Sequence, residues 1–243
     1  MTSKKQQRLH EKIRDAIERQ FADLAYFSPI PGERELCQQL GVSRPTVRKA
    51  LELLEAENKI VRMQGRGSFY TGEKIPVDYS EVETRGFGLA QMFSAEGRVT
   101  RSTVLQQVVE PARGNLAAML GVAAETLVFH LKRLRYVDEH IYAVTDDYIP
   151  LALCPELMHV DFTSSGLLRT LEAHSVHPYA EDKTIEVIHA APEIALYLEV
   201  EEQAPIFVTR ILTTDRTGRV IQYATAKADA FRSRFRVRST AKE

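Results

Sequence analysis

The residue types best suited to chemistry in this chain stand at the start of one predicted helix. Ser43 has the position of an N-cap, where its side-chain oxygen is expected to accept from the first helical amides, and Pro45 suits the first turn. Apolar residues recur at helical spacing from Val47 to Leu54 and predict a buried face. Off that face lie side chains that can contact DNA bases and phosphates: Arg44, Thr46, Arg48 and Lys49.

Two other predicted helices position this one. The preceding helix carries Leu36 and Leu40 on one face and stops at Gly41, so the pair has the form of a helix-turn-helix. Arg34 near its start is a further candidate for a guanine edge or a phosphate. An amphipathic helix at residues 5–22 is expected to pack on both.

A β-hairpin is predicted after the helix-turn-helix. Residues 59–63 and 68–70 favour strands and flank the basic, glycine-rich tip Gln64–Gly67. Arg66 between two glycines is suited to a narrow minor groove, so this hairpin is interpreted as a wing. The alternative is a small helical domain whose basic residues form only a solvated surface, but the order and spacing of the motifs favour DNA binding.

These motifs resemble a known family. Glu33–Leu36, Val42–Leu51 and Gln64–Phe69 look like the winged helix-turn-helix of GntR-family bacterial transcription factors. Residue types and resemblance together predict the DNA-binding residues Arg34, Ser43, Arg44, Thr46, Arg48, Lys49, Gln64, Gly65, Arg66 and Gly67.

Charge is distributed unevenly along the 243 residues. Residues 1–74 carry 14 Lys and Arg against 10 Asp and Glu, whereas residues 75–243 carry 18 against 23. A basic segment joined to an acidic one predicts a nucleic-acid contact confined to the first part. Cys37 and Cys154 are far apart and form no Cys/His motif, so we expect free thiols, no metal ion and no cofactor. Without a signal peptide or an apolar run of membrane-spanning length, a cytoplasmic protein is expected, associated with the nucleoid through its operator.

The rest of the chain predicts an α+β domain around a mainly antiparallel sheet. The expected layout is a DNA-binding domain at 1–72, a linker at 73–86 and a second domain at 87–243. The predicted helices are 88–96, 113–120, 164–174 and 192–198. The predicted strands are 99–109, 126–137, 141–149, 183–190, 205–215, 219–229 and 231–238.

Two arginines on one strand are the candidate ligand-binding residues of this second domain. By strict alternation Arg133 and Arg135 continue the face that carries Phe129 and Leu131. A short turn places Thr145 opposite Arg133, with Asp147 on the same face. An unpaired buried charge is costly, so either the arginines form a structural pair with a carboxylate or they bind an anionic ligand. The sequence leaves both alternatives open.

A second resemblance covers residues 80–238. Leu131–Arg135 and Asp146–Pro150 look like the UTRA effector-binding domain, a chorismate lyase-like fold, of the HutC-like branch of GntR regulators. The resemblance implies that both arginines face a small-molecule pocket and that the helix start at Gly88 offers amides to an anion. The candidate effector-binding residues are Gly88, Leu89, Ala90, Gln91, Arg133, Arg135, Thr145, Asp147, Ser165, Gln222 and Tyr223.

Three of these residues restrict the effector class. Members that bind amino-sugar phosphates have carboxylates where Thr145 and Gln222 stand, and often a hydroxyl residue where Ala90 stands. The resemblance therefore implies a different small anion, such as another sugar phosphate, a phosphonate or a carboxylate.

The expected function is a ligand-responsive transcription factor. A homodimer would present two recognition helices to an inverted-repeat operator in double-stranded DNA, and a repressor would be released by its effector. The alternative is a chorismate lyase-like enzyme, because a fold does not fix a function. No HExxH or GxSxG motif supports an enzyme, and the seven histidines are scattered.

Overall fold

The computed structural model describes residues 8–22, 24, 28–63, 65–71, 75–78, 88, 93, 97–138 and 140–237. Two units separate in the chain, Met1–Lys74 and Ile75–Glu243.

Three helices form the core of the first unit. They are α1 (Leu9–Phe21), α2 (Glu33–Leu40) and α3 (Arg44–Ala56). The apolar stripes of α1 and α3 meet in one cluster, in which Ile17 and Val47 are completely buried. Helix α2 ends at Gly41 in the left-handed conformation (φ +64°), which confirms the predicted stop.

A small antiparallel sheet completes this unit. Its strands are β1 (Pro29–Ile30), β2 (Ile60–Met63) and β3 (Gly67–Tyr70), in the order β1-β3-β2. Strands β2 and β3 form the predicted hairpin, with Met63 paired to Gly67 across the tip. The first unit is therefore a winged helix-turn-helix.

A six-stranded sheet dominates the second unit. Its strands are β5 (Thr100–Pro111), β6 (Leu127–Val137), β7 (His140–Pro150), β8 (Ala180–His189), β9 (Pro205–Thr214) and β10 (Val220–Asp229). The order is β5-β6-β7-β10-β9-β8, and every neighbouring pair is antiparallel. The predicted α+β class is confirmed.

Helices cover both faces of this sheet. They are α4 (Asn115–Leu120), α5 (Leu167–Ala173) and α6 (Pro192–Leu198). Helix α5 and the 3₁₀ turns Leu151–Leu153 and Pro155–His159 pack on the face that contains Phe129. Helices α4 and α6 pack on the side that contains Val128 and Leu134. This double coverage explains why β6 is buried along most of its length.

Some elements differ from the sequence-based expectation. Strand β4 (Ile75–Asp78) was not predicted, and it pairs in parallel with β11 (Ser233–Arg236) as a separate two-stranded sheet. Strand β11 therefore does not extend the main sheet. Only Gly88 and Phe93 of the expected helix 88–96 belong to the described residues.

Candidate functional site

The recognition helix α3 begins where the sequence predicts, but its cap differs. Ser43 is the N-cap residue in extended conformation, and its side chain makes no capping hydrogen bond. Its Oγ lies 2.9 Å from Thr46 Oγ1 instead, so the expected bond to a helical amide is wrong. The amides of Thr46 and Val47 donate to the backbone carbonyl oxygen of Ser43, at 3.0 and 3.2 Å, and Pro45 has no N–H to offer.

Three arginines of the first unit converge on the carboxylate of Glu33. Arg44 Nε lies 3.0 Å from Glu33 Oε2, and Arg48 Nη2 lies 3.2 Å from the same oxygen. From strand β2, Arg62 Nη2 reaches Oε1 at 3.2 Å. The hydrogen bond from Arg48, against partial burial and with help from Arg44, lowers the pKa of Glu33 to about 2. We call these four residues the Glu33 cluster; it leaves a surplus of positive charge beside the start of α3.

Sequence reasoning missed Glu33 and Arg62. Glu33 is the first residue of α2, and the sequence analysis named it only as part of the motif Glu33–Leu36. Arg62 lies inside a short strand, where its position suggested only hairpin structure. Their meeting depends on how α2 packs beside β2.

The other predicted DNA-binding residues lie in the same unit. Arg34 is exposed on α2, and Lys49 on α3 forms an ion pair with Glu52 at 3.1 Å. Arg66 is exposed at the hairpin tip between two glycines with positive φ, +75° at Gly65 and +104° at Gly67. A side chain at either glycine would be strained. Gln64 lies outside the described residues.

A cavity in the second unit collects most of the predicted ligand-binding residues that the structure describes. Arg133 pairs with Thr145 across β6 and β7, as predicted, and Asp147 pairs with Ala224 of β10. The cavity measures about 90 Å³, which suits an anionic head group. It is lined by Gly88, Arg133, Arg135, Thr145, Asp147, Gly166, Leu167, Leu168, Glu181, Ile211, Gln222, Ala224, Thr225 and Ala226.

A buried hydrogen-bond chain neutralises one side of this cavity. Arg133 Nη2 donates to Asp147 Oδ2 at 3.1 Å, and Gln222 Nε2 donates to Asp147 Oδ1 at 2.7 Å. Thr213 Oγ1 in turn donates to Gln222 Oε1 at 3.0 Å. Both oxygens of Asp147 are thus occupied, so the structural ion pair that the sequence left open is present.

Arg135 lies beside this pair, and among the described residues it forms no ion pair with a carboxylate of its own. Its Nε is buried, as are Arg133 Nε and Thr145 Oγ1, and none of the three atoms has a hydrogen-bond partner within the described part of the chain. Burial and then the charge of Arg133 lower the pKa of Arg135 to about 9. A buried cation beside unused donors attracts an anion, because the anion supplies the missing charge and the missing acceptors.

Several predicted lining residues are placed elsewhere. Tyr223 stacks on Tyr148 on the opposite face of the sheet, as alternation with Gln222 requires. Ser165 precedes Gly166 and is not among the residues that line the cavity. The remaining positions, Leu89, Ala90 and Gln91, lie outside the described residues.

The cavity also contains a carboxylate that sequence reasoning missed. The side chain of Glu181 is 6% exposed and forms an ion pair with Lys183. The strand was predicted to begin only at residue 183, which left Glu181 in a presumed loop. Since the strand begins at Ala180, Glu181 is fixed at the cavity wall and offers an acceptor for a hydroxyl or amine of a ligand.

On the opposite face of the sheet lies a polar cluster in which carboxylates lie beside a histidine and a lysine. His130 lies 3.1 Å from both Asp146 Oδ1 and Glu110 Oε1, and Lys227 Nζ lies 2.9 Å from Asp146 Oδ2. Burial raises the pKa of Asp146, but His130 and Lys227 together lower it to about 2. Asp146 thus has a cationic partner in Lys227, whereas no hydrogen-bond partner of Arg135 Nε is found among the described residues.

Comparison with known proteins identifies both units. Residues 5–69 match the model of the bacterial regulatory proteins of the gntR family, and residues 95–232 match that of the UTRA domain. The chain belongs to the GntR regulators that carry a UTRA domain. This GntR–UTRA regulator is 30% identical over 195 residues to the HTH-type transcriptional regulator GgaR of Escherichia coli K12, covering 80% of this chain and 75% of GgaR.

Two other proteins are similar, one in sequence and one in fold. The HTH-type transcriptional repressor NagR of Bacillus subtilis is 28% identical over 81% of this chain and 79% of its own. The crystal structure of PhnF from Mycobacterium smegmatis has the same fold, with a TM-score of 0.66, 22% identity and coverage of 95% of this chain and 100% of that one. The protein is a DNA-binding transcriptional regulator and not an enzyme. Among the described residues no helix is long and apolar enough to span a membrane.

Proposed function

We propose that this regulator is a repressor that binds an inverted-repeat operator as a homodimer and is released by a small anionic metabolite. In this proposal residues 1–72 bind double-stranded DNA and residues 73–86 form the linker. Residues 87–243 bind the effector and form the dimer. The relatives named as repressors support repression rather than activation. The observation that carries the effector class is the buried guanidinium of Arg135 in the cavity.

The DNA contact rests on the exposed basic face of the first unit. Arg44 and Arg48 on α3, with Arg34 on α2, are long enough to reach guanine edges or phosphates, while Arg66 enters the minor groove. Ser43, Thr46 and Lys49 bind the DNA backbone. Two copies related by a twofold axis read half-sites one helical turn, roughly 34–36 Å, apart.

The effector is a small anion whose head group binds Arg133, Arg135 and Thr145. A phosphate, phosphonate or carboxylate accepts from both free Nε groups and from the threonine hydroxyl. Glu181 then accepts from a hydroxyl or amine elsewhere on the same ligand. Asp147 already accepts from Arg133 and Gln222, so its main role is to orient the arginine beside the head group.

The test begins with a thermal-shift screen of phosphorylated, phosphonate and carboxylate metabolites. A ligand that binds the native state raises Tm with the logarithm of its excess over Kd. The compound that raises Tm is then added to the complex of the regulator with operator DNA, and release is followed by fluorescence anisotropy. We expect Arg135→Met to fold with an unchanged or higher Tm, to bind operator normally and to ignore the compound.

Lys132→Met is the matched control. Lys132 belongs to the same strand, is largely buried and points to the opposite face, where it pairs with Glu193. This variant should keep the wild-type response to the compound. The effector proposal fails if Arg135→Met responds like wild type, or if no anion in the screen raises Tm.

A further inference from the structure

Three side chains with metal-binding donor atoms meet at the C-terminal end of helix α5, which is the end away from the cavity. Cys154 lies between the two 3₁₀ turns, Glu156 follows in the second turn, and His174 caps the C-terminal end of α5. The sulfur, a carboxylate oxygen and a ring nitrogen all lie within 4.8 Å of one another. The fold unites residues that the sequence analysis treated as an isolated thiol and a scattered histidine.

Hydrogen bonding prepares the imidazole for this role. His174 Nδ1 lies 2.9 Å from the carbonyl oxygen of Thr170, which can only accept, so Nδ1 carries the proton. In the neutral ring the lone pair is then on Nε2. Histidines that bind metals usually donate their other ring N–H to a carbonyl or carboxylate in this way, which fixes the ring orientation.

The spacing and chemistry of the donors fit a zinc ion. Cys154 Sγ lies 3.7 Å from Glu156 Oε2, close to the roughly 3.5 Å that a tetrahedral ion with Zn–S of about 2.3 Å and Zn–O of about 2.0 Å requires. A thiolate and a carboxylate together balance the charge of a divalent cation. Sulfur disfavours Mg²⁺ and Ca²⁺, whereas the mixture of thiolate, imidazole and carboxylate favours Zn²⁺.

We propose that Cys154, Glu156 and His174 bind Zn²⁺, with a water molecule as the fourth ligand. Glu156 and His174 are exposed, so an ion reaches the site from solvent while the sulfur is supplied from the core. The ion joins the second 3₁₀ turn to the end of α5. Leu167 and Leu168, which begin α5, line the cavity, so the ion would also fix one wall of the ligand pocket.

The test uses the full-length protein without an affinity tag, titrated with Co²⁺ and then with Zn²⁺. We expect one equivalent of Co²⁺ to produce a near-ultraviolet thiolate-to-cobalt absorption band that Zn²⁺ abolishes by displacement. Cys154→Ser should lose the band. His174→Ala and Glu156→Gln should bind the ion at least about tenfold more weakly, the scale on which even outer-shell changes act. His174→Ala and Glu156→Gln change exposed residues and should fold. They therefore test metal binding even if the buried Cys154→Ser variant does not fold.

Two variants serve as matched controls. Cys37→Ser removes the other free thiol, in the first unit, and His177→Ala removes an exposed histidine three positions from His174. Both should keep the wild-type band and affinity. The proposal is overturned if wild type gives no thiolate band, if the band persists in Cys154→Ser, or if His174→Ala and Glu156→Gln bind as tightly as wild type.

Discussion

The two arginine clusters of this regulator use the same ionic chemistry in opposite surroundings. On the DNA-binding unit, Arg44 and Arg48 share Glu33, and their side chains are 68% and 53% exposed. In the cavity, Arg133 and Asp147 pair at 5% and 8% exposure, and Arg135 beside them is buried. Exposed ion pairs are individually weak, at about 0–1 kcal/mol, so they exchange readily for phosphates. A buried pair is hard to break, and a buried unpaired cation requires an anion.

The largest expected effect is on the stability of the buried cluster. Among the described residues, Arg133→Ala leaves Asp147 with Gln222 as its remaining donor, and breaking a buried pair this way costs about 3–5 kcal/mol. Urea unfolding without ligand measures this loss. The double variant Arg133→Met/Asp147→Leu should recover most of it, because both charges are removed together. A single variant as stable as wild type would mean that the buried pair contributes nothing.

On the exposed cluster the main effect should be on binding. Arg44→Ala or Arg48→Ala should weaken operator binding by about 1–3 kcal/mol per half-site where the arginine reads a base, and a symmetric dimer loses this twice. The free energy of unfolding should change little, since both side chains are exposed. An anisotropy titration measures the affinity and circular dichroism checks the fold. Binding like that of wild type would remove α3 from the interface.

A smaller effect is expected at the wing. Arg66→Ala should reduce the slope of log affinity against log salt by about one unit for each subunit, because one cationic contact with DNA is lost. Titrations at several salt concentrations measure this slope. Arg113→Ala, which removes an exposed arginine of the second unit, is the control and should leave the slope as it is. An unchanged slope in Arg66→Ala would contradict a wing contact.

The smallest effect is expected at Glu33. Its pKa falls from 4.5 to about 2 on folding, so the stability that it contributes is complete above about pH 4.5 and is lost as the pH falls towards 2. Solvent screens its arginine partners, so Glu33→Gln should cost less than about 1 kcal/mol at neutral pH and even less at high salt. The cost of Arg133→Ala should barely depend on salt. If the stability losses of Glu33→Gln and Arg133→Ala depended equally on salt, the proposed difference between the exposed and the buried cluster would be wrong.

Local signals made the first unit largely predictable. The glycine stop at Gly41, the proline in the first turn of α3 and the glycines of the hairpin tip each act within a few residues. The register that places Arg133 opposite Thr145 was predictable as well, because alternation and a short turn determine it. These features require no knowledge of distant packing.

Contacts between distant segments could not be predicted in this way. Arg62 reaches Glu33 across 29 positions, and Asp147 receives Gln222 across 75. Ser43 was the N-cap as predicted, but its hydroxyl pairs with Thr46 because two hydroxyls stand close together there. That Arg135 Nε finds no acceptor among the described residues is also a tertiary property, since alternation shows which face a side chain takes but not which partner it finds.

Strand β4, which the sequence did not predict, is the element through which a force along the backbone enters the second unit. Residue 75 directly follows the first unit, so any pull along the backbone reaches the second unit through β4. Ile75 and Val77 belong to the same apolar cluster as Ala143, the register partner of Arg135. The strand that β4 pairs with, β11, stands close to the C-terminus. We therefore expect a change in the backbone around Arg135 to shift β4 through this apolar cluster. A fusion or truncation that weakens the pairing of β11 with β4 should loosen β4 as well.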